Sequence, residues 1–210
     1  MKTDFVTFRE RRDRVQYLAR TFEAYLRGRI LDVGCDQAYL KTLIPELDYC
    51  GVDIAGNPDI QLNLEQIERL PFDDNQFDCV VCNDVLEHLD NFHFVFGELL
   101  RVSRKYVIIS LPNCWIAARS PIARGYGSFT HYGLPLEPPP DRHKWFFNIT
   151  EARHFMVEQA KVRNFRIPDT RISEKPRNLL LRFLRRIRFA GRDKYINRYA
   201  HTVWFVLQKD

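Results

Sequence analysis

Arg29-Ile-Leu-Asp-Val-Gly34, followed by Cys-Asp-Gln-Ala-Tyr-Leu40, is an apolar run that stops at a glycine and continues with helical spacing. It predicts a short buried strand, a sharp turn at Gly34, and a helix through Tyr39, Leu40, Leu43 and Ile44. Glycine suits the turn because, without a Cβ, its backbone can bend sharply and approach another group closely. Tyr49–Ile54, Asp78–Asn83 and Lys105–Leu111 read as three further strands, and Phe92, Val95, Phe96 and Leu99 mark one face of an intervening helix. Nearly continuous apolar strands alternating with helices predict a parallel sheet covered on both faces, an α/β doubly wound fold.

Upstream, Val15, Leu18, Ala19, Phe22, Tyr25 and Leu26 fall on one helical face, so an amphipathic helix ending at Gly28 is expected. Downstream, residues 114–147 hold three glycines, the Pro138-Pro139-Pro140 run and many aromatics, and read as an irregular lid. Asn148-Ile-Thr-Glu151 has the form of a capping box opening another helix. A basic helix over 177–189 and a closing strand His201–Leu207 complete the expected single domain of 1–210: an N-terminal helix (1–28), a cofactor-binding half (29–113), the lid (114–147) and a C-terminal part (148–210).

The chain has 210 residues, 45% of them hydrophobic, enough for one large core. The first residues are charged throughout and no stretch has the roughly 18 to 20 apolar residues of a membrane span, so a soluble cytoplasmic protein is expected. Five cysteines at irregular spacing do not form a disulfide framework. Cys79-Val-Val-Cys82 lies inside an apolar strand, where residues three apart point to opposite faces, and no metal role is assigned to it. The net charge of +5 is uneven: residues 45–100 are mostly acidic, and arginines crowd both ends. Solvated helix faces account for this as well as an anionic partner does.

In doubly wound sheets ligands bind beyond the carboxyl ends of the strands, where strand order reverses. Leu31-Asp-Val-Gly-Cys-Asp-Gln-Ala-Tyr-Leu40 stands at that place and resembles the first motif of class I S-adenosylmethionine-dependent methyltransferases. That family usually has hydrophobic-Asp-hydrophobic-Gly-x-Gly-x-Gly; here Asp36 and Ala38 replace two glycines. A Gly-x-Asp-x-Ala-Tyr-Leu run similar to this one is typical of a bacterial tRNA adenine methyltransferase family using the same cofactor. A nicotinamide dehydrogenase is the competing reading, but Gly34 lacks the other two glycines that fit a pyrophosphate to a helix N-terminus.

Asp53 closes the second strand at the spacing where an acid reaches ribose hydroxyls. Asn63-Leu-Glu-Gln66, Leu70-Pro-Phe-Asp-Asp-Asn-Gln-Phe-Asp78 and Val85-Leu-Glu-His88, in that order, resemble the type 11 subset of these methyltransferases. The resemblance covers about residues 29–113. It implies a Rossmann-like sheet of seven strands, mostly parallel with an antiparallel C-terminal strand. It implies S-adenosyl-L-methionine as cofactor, held by Asp32, Gly34, Asp36, Asp53, Ile54, Asn63, Leu64 and Asn83. Asn63 stands where an adenine-contacting aspartate is common, and its amide oxygen can still accept a hydrogen bond.

The acceptor side is sought in the lid, among Tyr126, His131, Tyr132 and His143. His143 is the first choice because Asp141-Arg-His-Lys-Trp-Phe-Phe147 resembles a His-containing segment that many relatives place before their next helix. His131 and Tyr132 are the other catalytic candidates, and His88 is as readily structural. The leading expectation is methyl transfer to a small molecule or a cell-envelope glycan or lipid precursor, with peripheral contact to an anionic membrane through the basic helix. RNA methylation and a cofactor-binding protein without turnover are the alternatives.

Overall fold

The computed structural model describes residues 1–129 and 131–209. Eight strands form one sheet: β1 (Lys2–Phe5), β2 (Arg29–Val33), β3 (Asp48–Asp53), β4 (Ile60–Gln61), β5 (Phe77–Asn83), β6 (Ser103–Pro112), β7 (Phe165–Glu174) and β8 (Ala200–Lys209), in the order β1-β7-β8-β6-β5-β2-β3-β4. β8 runs antiparallel to both neighbours, and every other pairing is parallel. The helices are α1 (Arg11–Thr21), α2 (Tyr39–Leu43), α3 (Phe92–Val102), α4 (Cys114–Arg124), α5 (Ile149–Arg163), α6 (Leu179–Arg188) and α7 (Arg192–Tyr199).

Consecutive strand residues feed opposite faces, and both faces are buried, which is why the strands are apolar without alternation. Leu31, Val33, Val80 and Cys82 join the larger core with α3 and α5. Ile30, Cys79, Val81, Ile108 and Trp204 join the other, capped by Leu18 of α1 and Phe22 just after it. Cys79 and Cys82 thus face opposite ways, both fully buried. Trp204 is also fully buried, and its indole N–H donates to Ser173 Oγ at 3.1 Å, so burying the ring strands no donor.

The chain departs from several expectations. The sheet has eight strands rather than seven, because Lys2–Phe5 adds to the edge beside β7. The opening helix stops at Thr21 and a 3-10 turn, Glu23–Tyr25, leads to Gly28 at φ +70°. The first third of the expected irregular lid is the helix α4, which ends at Gly125 (φ +76°), whose N–H caps the carbonyls of Pro121 and Ile122. Among the described residues no helix is long and apolar enough to cross a membrane.

The capping box is present: Asn148 accepts from the backbone N–H of Thr150 and Glu151, and Glu151 accepts from Asn148 N at 2.9 Å. Asn148→Ala is therefore expected to cost about 1 kcal/mol of stability, read as a lowered urea midpoint at unchanged slope. No shift in that midpoint would show that the cap contributes nothing.

β2 lies between β3 and β5. The chain passes from β2 outward to β3 and β4, then returns to β5 on the other side, so the strand order reverses there. The carboxyl ends of β2, β3 and β5 open onto one cleft edge.

Candidate active site at the strand ends

The loop after β2 rises from Gly34, at φ +77°. A Cβ there would meet Val85 Cγ2 at 2.1 Å, so Gly34 is needed for close packing against the segment after β5 as well as for the turn. Asp36 and Ala38, which replace glycines of the motif, stand at φ +49° and +51°. The residue types depart from the pattern while the backbone keeps the left-handed conformations that favour glycine.

Asp53 ties this loop to the next. Its Oδ2 accepts from Asp36 N at 2.8 Å, and its Oδ1 from Ile54 N at 2.6 Å and Ala55 N at 3.2 Å. Asn57 N donates to Asp36 O at 2.6 Å and the Asn57 amide to Gln37 Oε1 at 2.7 Å, completing the stitch. Three N–H groups fill three of the four lone-pair sites of the Asp53 carboxylate, and Oδ2 keeps one for a ribose hydroxyl. Next to it, Ile54 is 56% exposed, an apolar surface at the cleft edge on which an adenine ring can pack.

Asp32 is buried beneath this loop, where Tyr49 Oη donates to its Oδ2 at 2.9 Å. Burial pushes its pKa up to about 7, offset in part by the Tyr49 hydrogen bond and reinforced by the Asp53 charge. Asn63 Oδ1 accepts from Glu65 N at 3.0 Å, closing a local turn, and Leu64 is buried behind it. The Asn63 oxygen thus retains one lone pair for an adenine amino group. Asn83 Oδ1 shares the Ser110 hydroxyl with Asp84 Oδ1, at 2.5 and 2.6 Å.

The acceptor-side candidates come together. The rings of His131 and His143 stack with centroids 4.5 Å apart, and His88 lies edge-on to His143 at 4.6 Å. Tyr132 Oη is 3.0 Å from His143 Nδ1 and donates to Trp145 O at 3.0 Å. With the phenol proton directed to Trp145, His143 Nδ1–H donates to Tyr132 and Nε2 keeps its lone pair. Burial, with His88 and His131 nearby, holds the His143 pKa down to about 4, so the ring is neutral at pH 7. Tyr126, by contrast, is 70% exposed, against Arg124. The segment is pinned by Lys144 N to Glu87 O at 2.8 Å and Trp145 Nε1 to Leu89 O at 2.7 Å.

Three site residues escaped sequence reading. Arg14, one turn before the buried Leu18 of α1, meets Asp84 just after β5, and Arg11 lies 3.4 Å from Asp36. Glu87 is 1% exposed, and burial lifts its pKa to about 8. It stood in the Leu-Glu-His motif, where the histidine alone drew notice.

Residues 31–110 match the family model described as a methyltransferase domain. Over that stretch the chain is similar to a methyltransferase domain, and its fold is that of class I methyltransferases. A crystal structure of an S-adenosylmethionine-dependent methyltransferase from Archaeoglobus fulgidus aligns over 96% of both chains, with a TM-score of 0.54 at 18% identity. The magnesium protoporphyrin IX methyltransferase of Synechocystis, solved with bound S-adenosylhomocysteine, aligns over 95% of this chain and 83% of its own, with a TM-score of 0.53 at 14% identity. An uncharacterized protein of Methanocaldococcus jannaschii is 30% identical over 96 residues, a match spanning 43% of this chain and 42% of that protein. The methyltransferase domain's cofactor is S-adenosylmethionine, and the residues present fit it: a bent loop after β2, a carboxylate at the end of β3 and an exposed apolar side chain beside it.

Proposed function

We propose that this chain transfers the methyl group of S-adenosylmethionine to a lipid-linked acceptor, a cell-envelope glycan or lipid precursor, while docked on a membrane surface. The bound cofactor would supply an activated methyl on a sulfonium, an excellent leaving group. The chain's share is to hold the ribose through Asp53, pack the adenine beside Ile54, exclude water, and bring the acceptor to the His131–Tyr132–His143 side of the cleft. Positioning of this kind supplies roughly 7 to 11 kcal/mol in favourable intramolecular reactions.

The observation that carries the acceptor class is α6. Leu179, Leu180, Phe183, Leu184 and Ile187 are 52–78% exposed, and no residue of the helix is buried. The arginines lie toward the domain instead: Arg182 over the Phe5 ring at 3.6 Å, Arg185 over Tyr199 at 4.3 Å and 3.8 Å from Glu174, and Arg186 over Tyr195 at 5.4 Å. This arrangement favours insertion of an apolar face over attraction of RNA. Charges under the rim of that face still suit an anionic surface.

The test uses cell extract, isotopically labelled S-adenosylmethionine and the full chain. Label is expected in the organic-extractable membrane fraction. The Leu180, Phe183 and Leu184 triple glutamine variant is expected to transfer several-fold less while binding cofactor equally. Label confined to RNA or to soluble metabolites would refute the lipid-linked acceptor, and no transfer in any fraction would refute turnover.

A further inference from the structure

Glu87, His88 and His143 present ligand atoms that all lie within 4.8 Å of one another. Each has a reason to be there that core packing does not supply. The Glu87 side chain is 1% exposed, and its Oε2 has no hydrogen-bond partner among the described residues. A carboxylate oxygen buried without a partner is costly, and such groups are ordinarily paired or bound to a cation.

The two imidazoles are each held by their other nitrogen. Asp141 Oδ1 is 2.6 Å from His88 Nδ1, which leaves Nε2, 3.9 Å from Glu87 Oε1. Tyr132 Oη is 3.0 Å from His143 Nδ1, which leaves Nε2 there too. An oxygen on the outer nitrogen fixes the tautomer and aims the inner one, the support that metal-binding histidines have.

We propose that Glu87, His88 and His143 form a binding site for a divalent transition-metal ion, with Asp141 and Tyr132 orienting the imidazoles. Two imidazoles and one carboxylate suit Zn²⁺, Fe²⁺ or Mn²⁺ better than Mg²⁺ or Ca²⁺, which prefer all-oxygen shells. Bonds of about 2.0 to 2.2 Å place tetrahedral ligand atoms roughly 3.4 Å apart, so side-chain rotations of about an ångström close the site. Three protein ligands leave a position for an exogenous oxygen or nitrogen. Arg14, which meets Asp84 and adds positive field at Glu87, is a competing cation, and it sets an upper limit on affinity rather than removing the ligands.

Metal binding is testable apart from methyl transfer. The full chain, stripped with a chelator, is titrated with Zn²⁺ against a chromophoric competitor, and separately with Co²⁺ while visible absorption is read. One ion per chain at micromolar or tighter affinity is expected, with a ligand-field band for Co²⁺ and no displacement by millimolar Mg²⁺. His143→Ala and Glu87→Gln should each weaken Zn²⁺ binding tenfold or more. Asp141→Asn should weaken it about tenfold. Because Asp141 is exposed, that variant carries the test even if a buried substitution unfolds the chain. His154→Ala, on the exposed side of α5, should leave affinity unchanged. Substoichiometric binding, no Co²⁺ band, or equal affinity in wild type, His143→Ala and Asp141→Asn would overturn the site.

Discussion

Asp53→Ala is expected to weaken S-adenosylmethionine binding about tenfold to a hundredfold. The ribose hydroxyl that donates to the carboxylate's remaining lone pair contributes roughly 1.5 to 3 kcal/mol, which corresponds to about one to two decades in affinity. The substitution also removes the acceptor for the N–H groups of Asp36, Ile54 and Ala55, so the two loops that frame the cleft lose their tie. Asp53→Asn keeps one acceptor oxygen and should fall between the two. Calorimetry with S-adenosylhomocysteine measures this, and affinity unchanged in Asp53→Ala would remove the residue from the site.

The second large effect is on stability and belongs to Asp32. Its pKa in the folded chain, about 7, stands above the ordinary carboxylate value of roughly 3.9 in the unfolded chain. Between those values the folded state holds more protons than the unfolded state, so stability falls as pH rises from about 4 to 7 and levels off above. At about 1.4 kcal/mol per pH unit the full loss is on the order of 4 kcal/mol. Asp32→Asn retains an acceptor for Tyr49 and cannot ionise. It should match wild type near pH 4 and exceed it by a few kcal/mol at pH 8, read from denaturant midpoints. A difference that does not change with pH would mean that Asp32 is not buried as a neutral acid.

The parts of the fold that were legible share a cause. β2, β5 and the second half of β6 are buried on both faces, so their sequences are apolar runs, and β3 is buried in its Gly51–Val52 centre. β7 escaped notice because Phe165-Arg-Ile-Pro-Asp-Thr-Arg-Ile-Ser-Glu174 mixes charges and a proline, with register shifts against β8. β1 is a four-residue edge strand that exists only through β7. α4 was hidden by Pro121 within it and Gly125 at its end, both normally read as breakers.

At the site, the motif reading pointed to the loop after β2, where Asp36 and Ala38 take the positive φ that favours glycine although neither is one. The histidine cluster was found one residue at a time, since residues 88, 131 and 143 are brought together by hydrogen bonds of the 141–147 segment to the turn after β5 and of His143 N to His131 O. Glu87 and Arg14 were missed for the same reason: their charges acquire meaning from burial and from neighbours distant in sequence. The orientation of α6 was invisible, because the helical pattern separates its faces without saying which one meets the domain.

The most direct test of the account is a crystal structure of the chain with S-adenosylhomocysteine. The account predicts a ribose hydroxyl within hydrogen-bond distance of Asp53, the adenine beside Ile54 and Asn63, and the sulfur turned toward the His131–His143 side of the cleft. A ligand bound elsewhere, or none at saturating concentration while the loops after β2 and β3 keep their present conformation, would contradict it.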